Sequence, residues 1–143
     1  MTKPDGFFEL QTAKQLFEKL ESDFERLKSA APISREAQYA AFDFFVTAEH
    51  LPEWLAKGKG ANLSTLRAYA DHPLVSHIAN GAKHFRVDPN RHNAVHSTQA
   101  HSGAFDFNAF DNGAFDVDRL IIEREAVLDI AARILEHWRA LVR

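Results

Sequence analysis

Three polar side chains are spaced along an otherwise apolar stretch of this sequence so that they could act together. Asp43, Thr47 and His50 are four and three residues apart, and residues 39–48 are almost entirely apolar. On a helix this spacing places all three side chains on one face. A carboxylate and an imidazole among apolar side chains are costly to bury unless each has a partner. We therefore expect this polar stripe to meet polar groups of another element.

A second polar face follows further along the chain. His77, Asn80 and His84 are three and four residues apart, and Lys83 is next to the last of them. This spacing again places the side chains on one helical face. If the two helices pack together, the two faces can converge, and the sequence predicts a site between them.

The chemistry that these residue types support is proton transfer beside an anion. His50 and His84 are the candidates for acid and base, because imidazole changes its charge near neutral pH. Asp43 is predicted to orient one of the two imidazoles. Asn80 and Lys83 are predicted to contact a phosphate or an oxyanion.

Two other interpretations of the same residues stay open. The polar side chains can form a satisfied network that only fixes the register of two helices, as in a structural or interaction protein. Alternatively, imidazole and carboxylate are ligands for zinc or iron, and Asp43, His50, His77 and His84 would then bind the metal. No cofactor is expected, since the chain has neither a glycine-rich phosphate loop nor a cysteine or serine nucleophile motif.

The elements that must position these residues are mainly helical. Apolar residues recur at three- and four-residue steps through several segments. We predict a bundle of about four main helices, with a kink or break near His50 caused by Pro52, and a small β-hairpin before the C-terminal helix, with Asn112-Gly113 as its turn. The predicted helices are 8–30, 35–57, a short one to about 70, 73–85 and 125–143, and the hairpin is about 103–122.

Composition narrows the class of protein. The 143 residues fit one domain, 1–143, and the absence of cysteine excludes disulfides and thiolate metal sites. No apolar run is long enough to cross a membrane, so we expect a cytoplasmic protein without a membrane partner. The net charge of −3 disfavours a broad nucleic-acid surface. However, six of the eight histidines lie between residues 72 and 101. In the same range Lys83, Arg86 and Arg91 are opposed by one acidic residue, Asp88, which gives this region local positive character.

Two segments of the sequence resemble segments of known protein families. Tyr-Ala-Ala-Phe-Asp-Phe-Phe-Val-Thr-Ala-Glu-His at 39–50 and Ile-Ala-Asn-Gly-Ala-Lys-His-Phe at 78–85 resemble the signature segments of a family of uncharacterised bacterial helical proteins, from which no activity carries over. The second segment also resembles the Arg-Asn-x-x-x-His motif of HEPN-domain proteins. Asn80 and His84 match that motif, whereas Ala79 stands in place of its arginine.

A second HEPN-like pattern lies in the histidine-rich region. Arg91 and His96 are separated by four residues, with His92 directly after the arginine, and this resembles the R-x4-6-H motif of the family. HEPN domains are small all-helical proteins in which the arginine and histidine act on the RNA phosphodiester, usually across a dimer interface. The resemblance implies an RNA-directed nuclease or a defence-related relative, with RNA or a protein as partner and a homodimer as one arrangement.

Overall fold

The computed structural model describes residue 6 and residues 8–84, 94–95, 98–101, 119–122 and 125–142. Within these ranges the chain forms five helices and three short strands, so the prediction of a mainly helical fold with a small antiparallel sheet before the last helix is confirmed. In chain order the elements are α1 (Ala13–Ser29), α2 (Arg35–Lys59), α3 (Leu63–Leu66), α4 (His72–His84), β1 (Thr98–His101), β2 (Arg119–Ile122), β3 (Glu125–Ala126) and α5 (Val127–Val142).

A capping box sets the beginning of α1. The Thr12 hydroxyl accepts a hydrogen bond from the Gln15 backbone N–H at 3.1 Å, and the Gln15 side chain accepts one from the Thr12 backbone N–H at 3.1 Å. These reciprocal bonds satisfy donors that the first turn of a helix leaves unpaired. The helix therefore begins at Ala13 and not at residue 8, where the apolar periodicity alone placed it.

The long central helix α2 continues through its internal proline. Ser34 caps the N-terminus by accepting a hydrogen bond from the Ala37 N–H at 3.1 Å, and Gly60 closes the C-terminus with a φ of 67°, where glycine carries no steric penalty. The predicted break near His50 does not occur. Pro52 is fully buried, and burial of its ring among apolar side chains offsets the backbone hydrogen bond that it removes.

The hydrophobic core surrounds α2, which packs against α1, α4 and α5. Helix α5 also packs against α1. Removing these side chains from water is the main driving force for this arrangement. The large side chains that are completely buried include Leu20 of α1, Phe44, Phe45, Leu51 and Leu55 of α2, Val75 of α4, and Ile130, Ile134 and Trp138 of α5.

The small sheet lies between α4 and α5 in the sequence and has the strand order β1-β2-β3. Strands β1 and β2 are antiparallel, with Thr98 opposite Ile122 and His101 opposite Arg119. The first strand therefore precedes residue 103, where the hairpin was predicted to begin. The predicted turn, Asn112-Gly113, lies outside the described residues. Pairing of β3 with β2 delays the start of the last helix from the predicted residue 125 to Val127.

None of the helices in the described ranges combines the length and the apolar character that crossing a membrane requires.

Candidate functional site

The first part of the polar stripe meets α1, whereas the sequence predicted that it would meet α4. Arg26 Nη2 donates a hydrogen bond to Asp43 Oδ2 at 2.7 Å, and this bond and the one to Asp23 raise the pKa of Arg26. Lys19 Nζ donates to Thr47 Oγ1 at 2.9 Å. Among the described residues, the hydrogen-bond partner of Asp43 is therefore not an imidazole. Asp43 pairs with a guanidinium, and with Thr47 it belongs to the contact between α1 and α2.

Asp23 is the centre of this α1–α2 network, and only 3% of its surface is exposed. Its carboxylate oxygens lie 2.7 Å from Lys19 Nζ and 2.7 Å from Arg26 Nη2. Asp23 was not among the predicted site residues. Its position was the available signal, since it lies three residues after Leu20 and four before Leu27, within the apolar face of α1.

The second part of the site lies in an open groove between α2 and α4, with a volume of about 470 Å³. It brings together three of the predicted site residues from two helices, His50 of α2 with Asn80 and Lys83 of α4. His50 and Lys83 are exposed to solvent and Asn80 is half-buried. The other residues that line this groove are Phe42, Val46, Glu49, Glu53, Ala79 and Ala82.

The polar residues of α4 have different contacts. Asn80 Nδ2 donates to the Ser76 backbone carbonyl at 2.8 Å and to the Ser76 hydroxyl oxygen at 3.4 Å, so both of its N–H groups are directed to Ser76 and its carbonyl oxygen is the group left for a ligand. His77 Nδ1 accepts a hydrogen bond from the Val95 backbone N–H at 3.1 Å, so this imidazole has a structural contact. His84 is the last residue of α4, and its side chain lies outside the described part of the structure.

The metal interpretation receives no geometric support from the described part of the chain. Among the side chains placed there, no group of three or more histidine, aspartate or glutamate residues could hold an ion together. Asp43, which was one of the predicted ligands, is bound to Arg26. Arg91 and His96 lie outside the described residues, so their role stays a prediction.

Two carboxylates form one wall of the groove, and both lie near Arg67. Glu53 Oε1 accepts a hydrogen bond from Arg67 Nη2 at 2.8 Å. Burial raises the pKa of Glu49, while Arg67 and Ser76 oppose this shift. Glu49 Oε2 is buried, and no described residue gives it a hydrogen bond. The Arg67 guanidinium thus offsets part of the negative charge of this wall, and burial disfavours the charged form of Glu49.

Behind Glu49 lies a polar aromatic cluster, formed by Tyr69, His137 and Trp138, that the sequence analysis missed. The Tyr69 ring stacks on His137, with 4.7 Å between centroids and 22° between planes, and meets Trp138 edge-on at 5.2 Å. Burial raises the pKa of Tyr69, and the Glu49 carboxylate adds to this shift. Burial also lowers the pKa of His137, which Asp71 opposes. The cluster therefore favours neutral side chains.

In comparisons with known proteins, no protein-family model, no curated protein and no solved structure matches this chain. The function is therefore inferred from the arrangement of its own residues and from the resemblances in its sequence.

The α1–α2 network predicts unequal effects of removing its two aspartates. Asp23→Ala should lower the free energy of unfolding by about 2–3 kcal/mol, because it leaves two cations without their buried partner. Asp43→Ala should cost less than about 1 kcal/mol, since its ion pair is solvated on both sides. Urea unfolding at pH 7 measures both values. Equal losses for the two variants would contradict the central role of Asp23.

The raised pKa of Glu49 predicts that this side chain makes the free energy of unfolding depend on pH. Its folded-state pKa is raised, so its contribution to stability is fully present below the unfolded-state pKa of about 4.3 and is lost as the pH rises through the folded-state pKa. Glu49→Gln should therefore gain stability relative to the unmodified protein as the pH rises from 4.5 to 8. Urea unfolding across this range measures the difference.

Glu53→Gln is the control for this pH series, because it makes the same substitution one turn later on α2. It should not stabilise the protein, since it weakens the bond that Arg67 makes with this side chain. A difference between Glu49→Gln and the unmodified protein that stays constant with pH would show that burial of the Glu49 charge does not matter to folding.

Proposed function

We propose that this chain acts on RNA as a HEPN-like domain, either as a phosphodiester-cleaving nuclease or as a defence-related relative of one, through the groove between α2 and α4. One observation carries the proposal: an exposed imidazole, His50, and an exposed ammonium group, Lys83, line the same open groove with the Asn80 amide. These are the group types that proton transfer beside a phosphate requires.

In the proposed reaction, one imidazole takes the proton of a ribose 2′-hydroxyl while that oxygen attacks the adjacent phosphorus. The bond between phosphorus and the 5′-oxygen breaks, and a second, protonated imidazole gives its proton to the departing oxygen. The products are a 2′,3′-cyclic phosphate and a 5′-hydroxyl. We assign the two imidazoles to His50 and His84, one as base and the other as acid.

Lys83 and Asn80 have complementary tasks in this proposal. The Lys83 ammonium offsets the negative charge that develops on the phosphate oxygens. Because Asn80 Nδ2 is bound to Ser76, its remaining carbonyl oxygen suits a ribose hydroxyl and not a phosphate. This assignment changes the expectation that Asn80 contacts the oxyanion.

The carboxylates in the groove are compatible with an anionic ligand. Glu53 is paired with Arg67 at 2.8 Å. Burial raises the pKa of Glu49, and the positive charge of Arg67 opposes this shift in part. Neither carboxylate is an isolated negative charge facing the ligand. In the sequence, Lys83 also belongs to the histidine-rich region between residues 72 and 101.

A second candidate is a non-enzymatic structural or interaction protein. The observation that favours it is the α1–α2 network, since Asp43 and Thr47 are fully explained by their contacts with Arg26 and Lys19. Two of the three residues of the polar stripe therefore need no ligand. Under this alternative the chain would neither bind nor cleave RNA, and substitution of the exposed residues His50 or Lys83 would leave its stability nearly unchanged.

The nuclease proposal predicts the loss of RNA cleavage from substitutions on both helices of the groove. With end-labelled single-stranded RNA, His50→Ala and His84→Ala should each reduce the rate about 10²- to 10⁴-fold. Lys83→Ala should reduce it about 10²- to 10³-fold. Gel analysis of the products measures the rate, and DNA of the same sequence should stay intact because it lacks the 2′-hydroxyl.

Lys28→Ala is the matched control, since Lys28 is an exposed lysine on α1, away from the groove. It should leave the rate unchanged, and the melting temperatures of all variants should stay close to that of the unmodified protein. Absence of RNA binding and of cleavage in the unmodified protein would reject the proposal in favour of the non-enzymatic candidate. Loss of cleavage from Arg91→Ala and His96→Ala, with normal rates for the groove variants, would move the chemistry to that pair.

A further inference from the structure

Two aromatic side chains project into solvent from neighbouring positions on α2. Phe42 is 51% exposed and Tyr39, three residues earlier, is 61% exposed. Side chains three residues apart are neighbours on a helix surface, so the two rings form one exposed aromatic surface. An exposed apolar patch of this kind more often marks an interaction site than a scattered single residue does.

Phe42 also stands between two grooves. On one side is the polar groove that contains His50 and Lys83. On the other is an apolar groove of about 250 Å³, with Phe45, Ile78 and Leu120 among its lining residues. Because Phe42 lines both grooves, a ligand that occupies both would contact its ring. Such a ligand needs an apolar or aromatic part beside an anionic part.

We infer that Phe42 is a stacking platform for an unpaired base, and that the ligand of the adjoining polar groove is single-stranded RNA. This inference rests on the proposed function and narrows its substrate class. A nucleotide unites a flat aromatic base with an anionic phosphate, as the two grooves require. Aromatic side chains stack on bases of any sequence because every base has a π-face.

The spacing of Phe42 and His50 along α2 allows one RNA strand to contact both side chains. Phe42, Val46 and His50 are four residues apart and line the same groove. Phe42 and His50 are therefore about 12 Å apart along the helix axis. A short extended strand spans this distance, with a base on Phe42 and a phosphate of the same strand between His50 and Lys83.

Single strands are favoured over duplexes by the same geometry. In a duplex the bases are stacked on one another and paired, so their faces are closed to a protein side chain. Stacking on Phe42 requires a base that is free to turn outward. We therefore expect Phe42 to favour single-stranded over double-stranded RNA without a preference for one base over another.

Binding of a 2′-O-methyl RNA single strand tests the inference, since this probe lacks the attacking hydroxyl and separates binding from cleavage. Phe42→Ala should weaken binding about 5- to 150-fold, and Phe42→Tyr should restore it because it keeps the ring. Phe8→Ala is the matched control, as another exposed phenylalanine outside both grooves, and it should bind like the unmodified protein. Fluorescence anisotropy measures the affinities.

Two further readouts distinguish stacking from general damage. An oligonucleotide without bases should bind the unmodified protein and Phe42→Ala equally weakly, because neither complex contains the stacking contact. Lys83→Ala should make the salt dependence of binding shallower, by about 0.7 in the slope of log K against log salt concentration. Phe42→Ala should lower affinity without changing that slope.

The outcomes separate the inference from the proposed function. If the protein cleaves RNA and Phe42→Ala binds the single strand as well as the unmodified protein, the inference fails and the nuclease proposal stands. If the protein binds neither single strand nor duplex, both fail. If Phe42→Ala leaves RNA binding intact and instead dissociates an oligomer in sedimentation experiments, the aromatic surface is an interface between copies of the chain, which also overturns the inference.

Discussion

Asp23 lies between α1 and α2 with its carboxylate almost completely removed from water. A buried carboxylate is unfavourable unless charged or polar groups surround it, and Lys19, Arg26 and Thr47 provide them. Because these partners come from both helices, the requirement fixes how α2 is rotated against α1. With Thr47 directed toward α1, the adjoining side of α2, which carries Val46 and His50, faces α4. The groove with His50 is a consequence of that rotation.

The sequence predicted where the helices lie better than it predicted which helices pack against each other. Apolar periodicity and capping residues correctly indicated α2, α4 and the last helix, since these signals are local. The predicted helix boundaries were wrong where two local sequence signals favour different structures. The Thr12–Gln15 capping box prevailed over the apolar pattern that begins earlier, and burial of Pro52 kept α2 continuous despite the lost hydrogen bond. The partner of a helical face depends on packing, which periodicity does not contain.

The same distinction explains the outcome for the site. His50, Asn80 and Lys83 do share a groove, because two polar faces on adjacent helices tend to meet where water can reach them. Asp43 pairs instead with Arg26 of α1, a helix that was not predicted to contact the polar stripe. The cluster behind Glu49 joins Tyr69 and His137, which are far apart in the sequence. No pattern within one segment could predict their contact.

The buried polar groups of the protein are thus stabilised in two different ways. Around Asp23 the charge is kept and surrounded by cations. Around Glu49 and His137, burial favours the neutral forms. Both treatments hold polar groups within the fold, whereas His50 and Lys83 remain exposed on the groove. An ionisable group that the fold does not use to stabilise itself is available to a ligand. That availability, beside the exposed ring of Phe42, is the physical basis for placing an anionic, base-bearing strand at this surface.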